Sequence, residues 1–165
     1  MLWDMKFTAA LLLLLGMLPC GCAAPQQTGT RANDFLGASA ASILAAPTRV
    51  EGWNFTRPDG SIMADAPIEP LDISVARELG EILRSDQTYS EPSGSGSFQH
   101  SVGFRVWRGT EAVDVILSFG NDQMEVRYPA NNGSATSAFA GVTAARDRLA
   151  KLAHKAFPEF NAQPK

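Results

Sequence analysis

A stretch without proline, residues 98–128, constrains the fold of this chain most strongly. Within it, apolar side chains occupy alternate positions at Val113, Val115, Leu117 and Phe119. Because successive residues of a strand point to opposite faces, this period of two predicts a strand with one buried face. Apolar residues on either side follow the same period. The pattern therefore predicts a three-stranded antiparallel meander with strands at 98–107, 111–119 and 122–128.

Gly120 and Asn121 predict the second turn of this meander. Glycine tolerates the positive φ that a two-residue type II′ turn needs at its first central position. With these two residues as the loop, Leu117 lies opposite Met124 and the apolar faces of both strands coincide. The same register sets Asp114 opposite Arg127 on the other face.

The first turn has two candidates, 108–109 and 109–110, and charge favours the second. With Gly109 and Thr110 as the loop, Arg105 lies opposite Asp114 and Arg108 lies opposite Glu111. The other register loses both ion pairs, which stabilise neighbouring strands. We therefore expect a solvent-facing row of Arg105, Asp114 and Arg127 across the meander.

The remaining patterns predict a two-layer α+β fold. Residues 48–55 predict a fourth strand, and its imperfect alternation favours an edge position. Asp72 is a suitable N-cap for an amphipathic helix at 72–84, and a second apolar stripe predicts a helix at 137–157. These elements predict an antiparallel sheet of three to four strands with both helices on one face.

The N-terminal segment resembles a secretory signal peptide. A short apolar run, 7–18, follows Lys6 and is too short to span a bilayer. Asp4 is unusual ahead of such a run, whereas a start at Met5 gives a conventional leader. We assign 1–21 to the signal peptide and leave the start codon open between Met1 and Met5.

The two cysteines of the chain follow this leader, and the string around them resembles a bacterial lipobox. Gly21 precedes Cys22, as a small residue precedes the acylated cysteine of lipoproteins, although Pro19 and Cys20 depart from the usual pattern. Simple secretion with cleavage after Ala24 is the alternative. The resemblance implies a lipid anchor at Cys22, and Ala23 after it implies the outer membrane, facing the periplasm.

The predicted domain organisation follows from composition. Residues 22–47 form a small, polar tether, and within it 33–45 predict either a weak helix or more linker. A single α+β domain covers 48–160, and 161–165 form a tail. The Ser- and Gly-rich segment 85–97 predicts either a plain connector or a mobile flap.

The sequence carries few residues suited to catalysis. Its two histidines, His100 and His154, have no neighbours at metal-ligand spacing, and His100 has the inward parity of the first meander strand. There is no Gly-x-Ser-x-Gly elbow and no phosphate-binding loop, so we expect neither a metal nor another cofactor. A net charge of -3 argues against a nucleic-acid partner. Asp114 and Glu125 share the outer face, which leaves an envelope hydrolase as the least favoured function.

A candidate interaction patch lies on the outer face of the predicted sheet. Trp107 and Ile116 interrupt the charged row that contains Arg105 and Arg127, and aromatic side chains among arginines are typical of protein interfaces. Tyr89, in the segment 85–97, is a further candidate contact. These residues favour a binding or structural accessory role toward an envelope protein or peptide. The alternative is a secreted inhibitor that acts through 85–97.

Parts of the domain resemble a group of small, uncharacterised bacterial envelope lipoproteins. The resemblance rests on Tyr89 and on the segments 98–109 and 113–119. It implies an antiparallel α+β core. Proteins of that group commonly carry cysteines near the positions of Ser97, Ser118 and Asn121, and this chain has none there, so no role of those cysteines carries over.

Overall fold

A computed structural model describes residues 31–57, 61, 63–91, 97–128 and 136–160. The predicted signal peptide, Cys22, the first part of the tether and the tail lie outside these residues. The helices are α1 (Arg31–Ala45), α2 (Ile73–Leu83) and α3 (Arg146–Ala156). The strands are β1 (Arg49–Asn54), β2 (Glu69–Pro70), β3 (Val102–Arg108), β4 (Glu111–Ser118), β5 (Gln123–Tyr128) and β6 (Thr136–Gly141).

The strands form one antiparallel sheet in the order β2-β1-β3-β4-β5-β6. This confirms the α+β class but corrects the strand count, because the described residues form six strands where three to four were predicted. β1 is not an edge strand, since β2 pairs with its outer side. Two residues containing a proline carry too little periodic signal to predict a strand such as β2.

The predicted register of the meander is confirmed at both turns. Arg105 lies opposite Asp114 across β3 and β4, and Leu117 lies opposite Met124 across β4 and β5. Gly109 has a φ of 60°, as the first turn requires. The second turn differs from the prediction, because its positive φ of 52° belongs to Asp122 and not to Gly120. Four residues, 119–122, connect the paired ends of β4 and β5.

The region predicted as one helix at 137–157 divides into a strand and a helix. Its first part forms β6, which pairs with β5 along six residues, and α3 begins only at Arg146. Small residues such as Ala138 and Ala140 fit either structure, and pairing with a neighbouring strand decides between them. The prediction at 72–84 holds: the Asp72 carboxylate accepts a hydrogen bond of 2.7 Å from the Ser74 N–H and caps α2.

All three helices pack on the same face of the sheet and share one core with it. That core includes α1, which the sequence assigned to a tether or a weak helix. Leu36, Ile43 and Leu44 are at most 2% exposed, so the folded unit includes α1 and extends before residue 48. α1 also begins before the expected cap, Asn33, and it bends at Gly37, where φ is 67°.

Candidate functional site

The sheet face opposite the helices is the candidate site. Alternation along each strand places two cross-strand rows on this open face. The charged row contains Glu51, Arg105, Asp114, Arg127 and Ser137. The mixed row contains Trp53, Gly103, Ile116, Glu125 and Phe139. Shorter rows flank these two, among them Arg49, Trp107 and Ala112. Because the helices cover the other face, these rows are the part of the sheet that is available to a partner.

Arg105 and Asp114 form the ion pair that the register predicted. Two parallel hydrogen bonds, of 2.6 and 2.7 Å, join the guanidinium to the carboxylate. The Arg105 guanidinium also lies 5.3 Å from the centre of the Trp53 ring, and Arg49 lies 4.2 Å from the centre of the Trp107 ring. Both distances are typical of cation–π contacts. This end of the open face therefore consists of tryptophan rings held beneath arginines.

Arg127 pairs with Glu125 on its own strand, although Asp114 lies opposite it in the register. Its guanidinium donates two hydrogen bonds of 2.7 Å to the Glu125 carboxylate. The Asp114 side chain is 13% exposed, so the charged row is not uniformly solvent-facing, contrary to the prediction. The Glu125 side chain, in the mixed row, is 4% exposed. Burial alone would raise the pKa of Glu125, but hydrogen bonds from Arg127 and Ser137 outweigh it and the pKa is lowered. Glu125 is therefore an ionised structural carboxylate and a poor proton donor.

His100 lies on the open face beside this pair, which corrects the inward position that its parity predicted. β3 begins at Val102, so the strand period does not extend back to His100. Its Nε2 atom is 3.2 Å from Nη2 of Arg127. Because a guanidinium can only donate, Nε2 is the acceptor and the ring proton is on Nδ1. Burial and the charge of Arg127 lower the pKa of His100, although Glu125 acts in the opposite direction.

A continuous row of rings crosses the open face from β1 to β6. We call it the aromatic row; in spatial order it consists of Trp53, Phe55, His100, Phe98 and Phe139. The centres of successive rings are 5.2 to 6.5 Å apart, within the range of favourable aromatic contacts. A Cβ atom at Gly103 would lie 2.9 Å from the Trp53 ring, so the glycine lets that ring lie close to the sheet.

The structure brings together most of the predicted patch but not all of it. Trp107, Arg105 and Arg127 lie on the open face. Ile116 belongs to the same face but is only 5% exposed, so it supports the surface more than it forms it. Tyr89 lies elsewhere: it is 7% exposed in the core, where its hydroxyl donates a 2.5 Å hydrogen bond to the Leu83 carbonyl. Burial, with the charge of Asp86, raises its pKa.

The segment 85–97 is described in part, because 92–96 lie outside the described residues. Its first residues form a 3-10 turn, Asp86–Thr88, and the Thr88 hydroxyl donates to the Ile82 carbonyl. Ser90 then exchanges two backbone hydrogen bonds with Gly141 at the end of β6. The described residues of this segment are therefore fixed to the domain, in contrast to a flap that moves freely.

Ser97, Ser118 and Asn121 lie around one end of the meander. The Asn121 amide donates a 3.4 Å hydrogen bond to the Ser97 carbonyl, and the Gln99 N–H donates one of 3.3 Å to the Ser118 hydroxyl. Here the contacts between these segments are hydrogen bonds of serine, asparagine and the backbone.

Sequence reasoning missed the contributions of Phe98, His100 and Phe139 to the open face. The only signal was the concentration of aromatic residues at 98–100. Among the described residues, no group of three or more His, Cys, Asp or Glu side chains could hold a metal ion. The same part of the chain contains no helix that is long and apolar enough to cross a membrane. No family model, curated protein or solved structure matches this chain.

Proposed function

We propose that this chain is a lipoprotein of the bacterial envelope, acylated at Cys22, whose domain binds an envelope protein through its open sheet face. The aromatic row beside two arginine–carboxylate pairs is the observation that carries the binding role. The lipobox-like string at 18–22 supports the anchor. An outer-membrane position facing the periplasm is part of the same proposal and follows from Ala23.

The composition of the open face fits a protein surface. Aromatic and arginine side chains are enriched at protein interfaces, where the rings contribute apolar area and the guanidinium groups contribute directed hydrogen bonds. On this face Arg105 and Arg127 are already held by carboxylates, so little conformational entropy is lost when a partner binds. A preorganised, largely neutral surface of this kind suits a partner that presents apolar groups with backbone or side-chain acceptors.

The chemistry on the open face supports binding more than hydrolysis. General acid and base catalysis by two carboxylates needs one of them to hold a proton near neutral pH. The lowered pKa of Glu125 works against that role, and the Asp114 carboxylate is occupied by both hydrogen bonds from Arg105. A hydrolytic role would therefore have to begin by breaking these pairs.

The anchor is tested by comparing two cysteine substitutions in the full chain. Cys22→Ser removes the proposed acylation site, so the protein should leave the membrane fraction or retain its leader, and mass spectrometry should detect no acyl chains. Cys20→Ser is the matched control, because Cys20 lies in the segment that processing would remove. Acylation that persists in the Cys22→Ser variant would refute the anchor.

The binding face is tested by photo-crosslinking in the envelope. A photoreactive amino acid replaces Trp107 on the open face, Lys151 on the exposed side of α3, or Gln87 in the segment 85–97. The proposal expects a discrete protein adduct from position 107 that Trp53→Ala weakens, with no such adduct from position 151. The same adduct from all three positions would contradict a specific face. An adduct from position 87 alone would favour the inhibitor-like alternative.

A further inference from the structure

His100 joins the two halves of the aromatic row. The centre of its ring lies 5.2 Å from that of Phe55, on the β1 side, and 5.5 Å from that of Phe98, on the β6 side. Trp53 continues the row beyond Phe55, and Phe139 continues it beyond Phe98. The continuity of this apolar surface across the open face therefore depends on where the imidazole of His100 lies.

The position of this imidazole depends on its charge. Nε2 of His100 is 3.2 Å from Nη2 of Arg127, and a guanidinium can only donate. A neutral ring accepts this hydrogen bond, whereas a protonated ring has donors on both nitrogens and cannot accept it. Protonation therefore replaces a hydrogen bond by two like charges in contact, which favours movement of the ring away from Arg127.

The charged groups that act on His100 are Arg127 and Glu125, both on β5. Glu125 does not offset Arg127, because both oxygens of its carboxylate already accept hydrogen bonds from that guanidinium. On β4, Asp114 lies opposite Arg127, but two hydrogen bonds from Arg105 hold its carboxylate. The rings that pack on His100 from the segment after β1 and from its own segment are phenylalanines without charge. The surroundings therefore favour the neutral imidazole.

We propose that His100 makes binding at the open face dependent on pH. While the imidazole is neutral, it completes the aromatic row and Arg127 is held between it and Glu125. Once the imidazole is protonated, the hydrogen bond from Arg127 is lost and a positive charge lies among apolar rings, where a bound partner would have to bury it. This regulation presupposes the binding role proposed for the open face and adds the pH range in which that face binds.

Proton linkage gives the sign of the effect. A partner that covers the aromatic row binds the neutral form of His100, so below the pKa of the free protein one proton leaves for each partner bound. The affinity then decreases by up to about tenfold for each pH unit below that pKa. Because the pKa of His100 is lowered from 6.5, the affinity is nearly constant above pH 6.5 and decreases only in more acid solution.

Nitrogen NMR of the imidazole rings, in the full chain kept in detergent, tests this mechanism without a partner. His100 should carry its proton on Nδ1 at neutral pH and should titrate below 6.5. The ring protons of Phe55 and Phe98 should shift over the same pH range. His154, whose Nδ1 lies 3.2 Å from the Phe160 carbonyl oxygen, provides a comparison in the same spectra. A His100 ring that carries its proton on Nε2, or that titrates at 6.5 or above, overturns the proposal.

Photo-crosslinking in isolated envelopes tests the effect on binding. The reference chain carries the photoreactive amino acid at position 107, and its protein adduct is compared at about pH 7.5 and about pH 5. The lower pH is above 4.5, so Glu125, whose pKa is lowered from that value, stays ionised. The adduct yield should decrease by about threefold or more at the lower pH.

Three substitutions in the reference chain assign this decrease to its cause. His100→Gln keeps an uncharged acceptor and should bring the ratio of the two yields close to one. His100→Lys carries a positive charge at both pH values and should give the low yield at both. His154→Gln is the matched control, because it removes the other histidine of the chain, and it should leave the decrease unchanged.

The outcomes separate this regulation from the binding role itself. Equal yields at the two pH values in the reference chain overturn the regulation and leave the binding role intact, whereas no adduct at either pH overturns both. A decrease that persists in His100→Gln assigns the pH dependence to the partner, and one that disappears in His154→Gln assigns it to α3. Either result overturns the proposal, as does a full yield from His100→Lys.

Discussion

At the scale of single residues, Glu125, Arg127 and His100 form the most constrained group on the open face. A carboxylate that is 4% exposed is tolerated there because a guanidinium donates two hydrogen bonds to it. The guanidinium in turn donates toward an imidazole that is held neutral. Each member therefore depends on the charge state of the next, and substitutions should have unequal effects.

Arg127→Ala should destabilise the domain by about 3 kcal/mol, because it leaves the buried Glu125 carboxylate without its partner. Arg49→Ala is the control: Arg49 is 57% exposed and lies 3.8 Å from Glu51, so its loss should cost less than about 1 kcal/mol. Urea unfolding followed by circular dichroism measures both. Equal losses for the two variants would show that burial of Glu125 does not govern the effect.

The lowered pKa of His100 predicts a pH dependence of stability on the acid side of neutrality. The unfolded chain binds a proton near the ordinary pKa of 6.5, whereas the folded chain binds it at lower pH. Between these two pKa values the unfolded state holds more protons, so the free energy of unfolding falls as pH decreases below 6.5. Above pH 6.5 the contribution of the neutral His100 to stability is complete. His100→Asn should remove this slope in urea titrations at several pH values.

Glu125 acts in a separate and more acidic window. Its pKa is lowered from an ordinary value of 4.5, so the stability from its pairing with Arg127 is lost only as pH falls below that value. A slope between pH 6.5 and 4.5 that survives in His100→Asn would mean that another group is responsible.

At the scale of elements, α1 and α2 approach each other closely enough to require a glycine. A Cβ atom at Gly80 would lie 2.3 Å from the Leu44 carbonyl oxygen, which is backbone and cannot move aside without shifting α1. Gly80→Ala should therefore destabilise the domain by about 2 to 3 kcal/mol, although alanine is the better helix former. Gly120→Ala is the control, because its nearest neighbour is 4.0 Å away. Thermal unfolding distinguishes the two.

The elements that the sequence predicted well are those determined by local signals. The meander register follows from side-chain parity and from the turn at Gly109, and α2 follows from its Asp72 cap and its apolar stripe. β6 was predicted as the start of a helix because its small residues carry no strand preference, whereas in the structure it pairs with β5 along six residues. Pairing with a neighbouring strand determines the secondary structure of such segments, and the residues of the segment alone do not indicate that pairing.

The candidate site was predictable to the extent that it lies within regular strands. Parity along β3, β4 and β5 placed Arg105, Trp107 and Arg127 on one face. His100 and Tyr89 were misplaced because each lies in a connection, where no period fixes the direction of a side chain. The aromatic row is assembled from β1, β6 and the segment before β3, so it emerges only once the sheet is complete.

At the scale of the whole molecule, α1 decides where the folded unit begins. Leu36, Ile43 and Leu44 are buried in the shared core, and burial of one such side chain contributes about 1.5 to 3 kcal/mol. Their sum is comparable with the total stability of a typical domain, about 5 to 15 kcal/mol. Removal of α1 also exposes the apolar surface of β3 and β4 on which it packs.

A chain that begins at Thr48 should therefore fail to unfold cooperatively, whereas a chain that begins at Thr30 should keep a single sharp transition. The longer chain retains the hydrogen bond that the Tyr128 hydroxyl donates to the Leu36 carbonyl and the contact of Phe35 with Tyr89, whose ring centres are 5.1 Å apart. Chemical unfolding monitored by tryptophan fluorescence measures the transition, since Trp53 and Trp107 remain in both chains. A cooperative transition in the shorter chain would show that the domain folds without α1, and the domain boundary would then lie at residue 48 as predicted from the sequence.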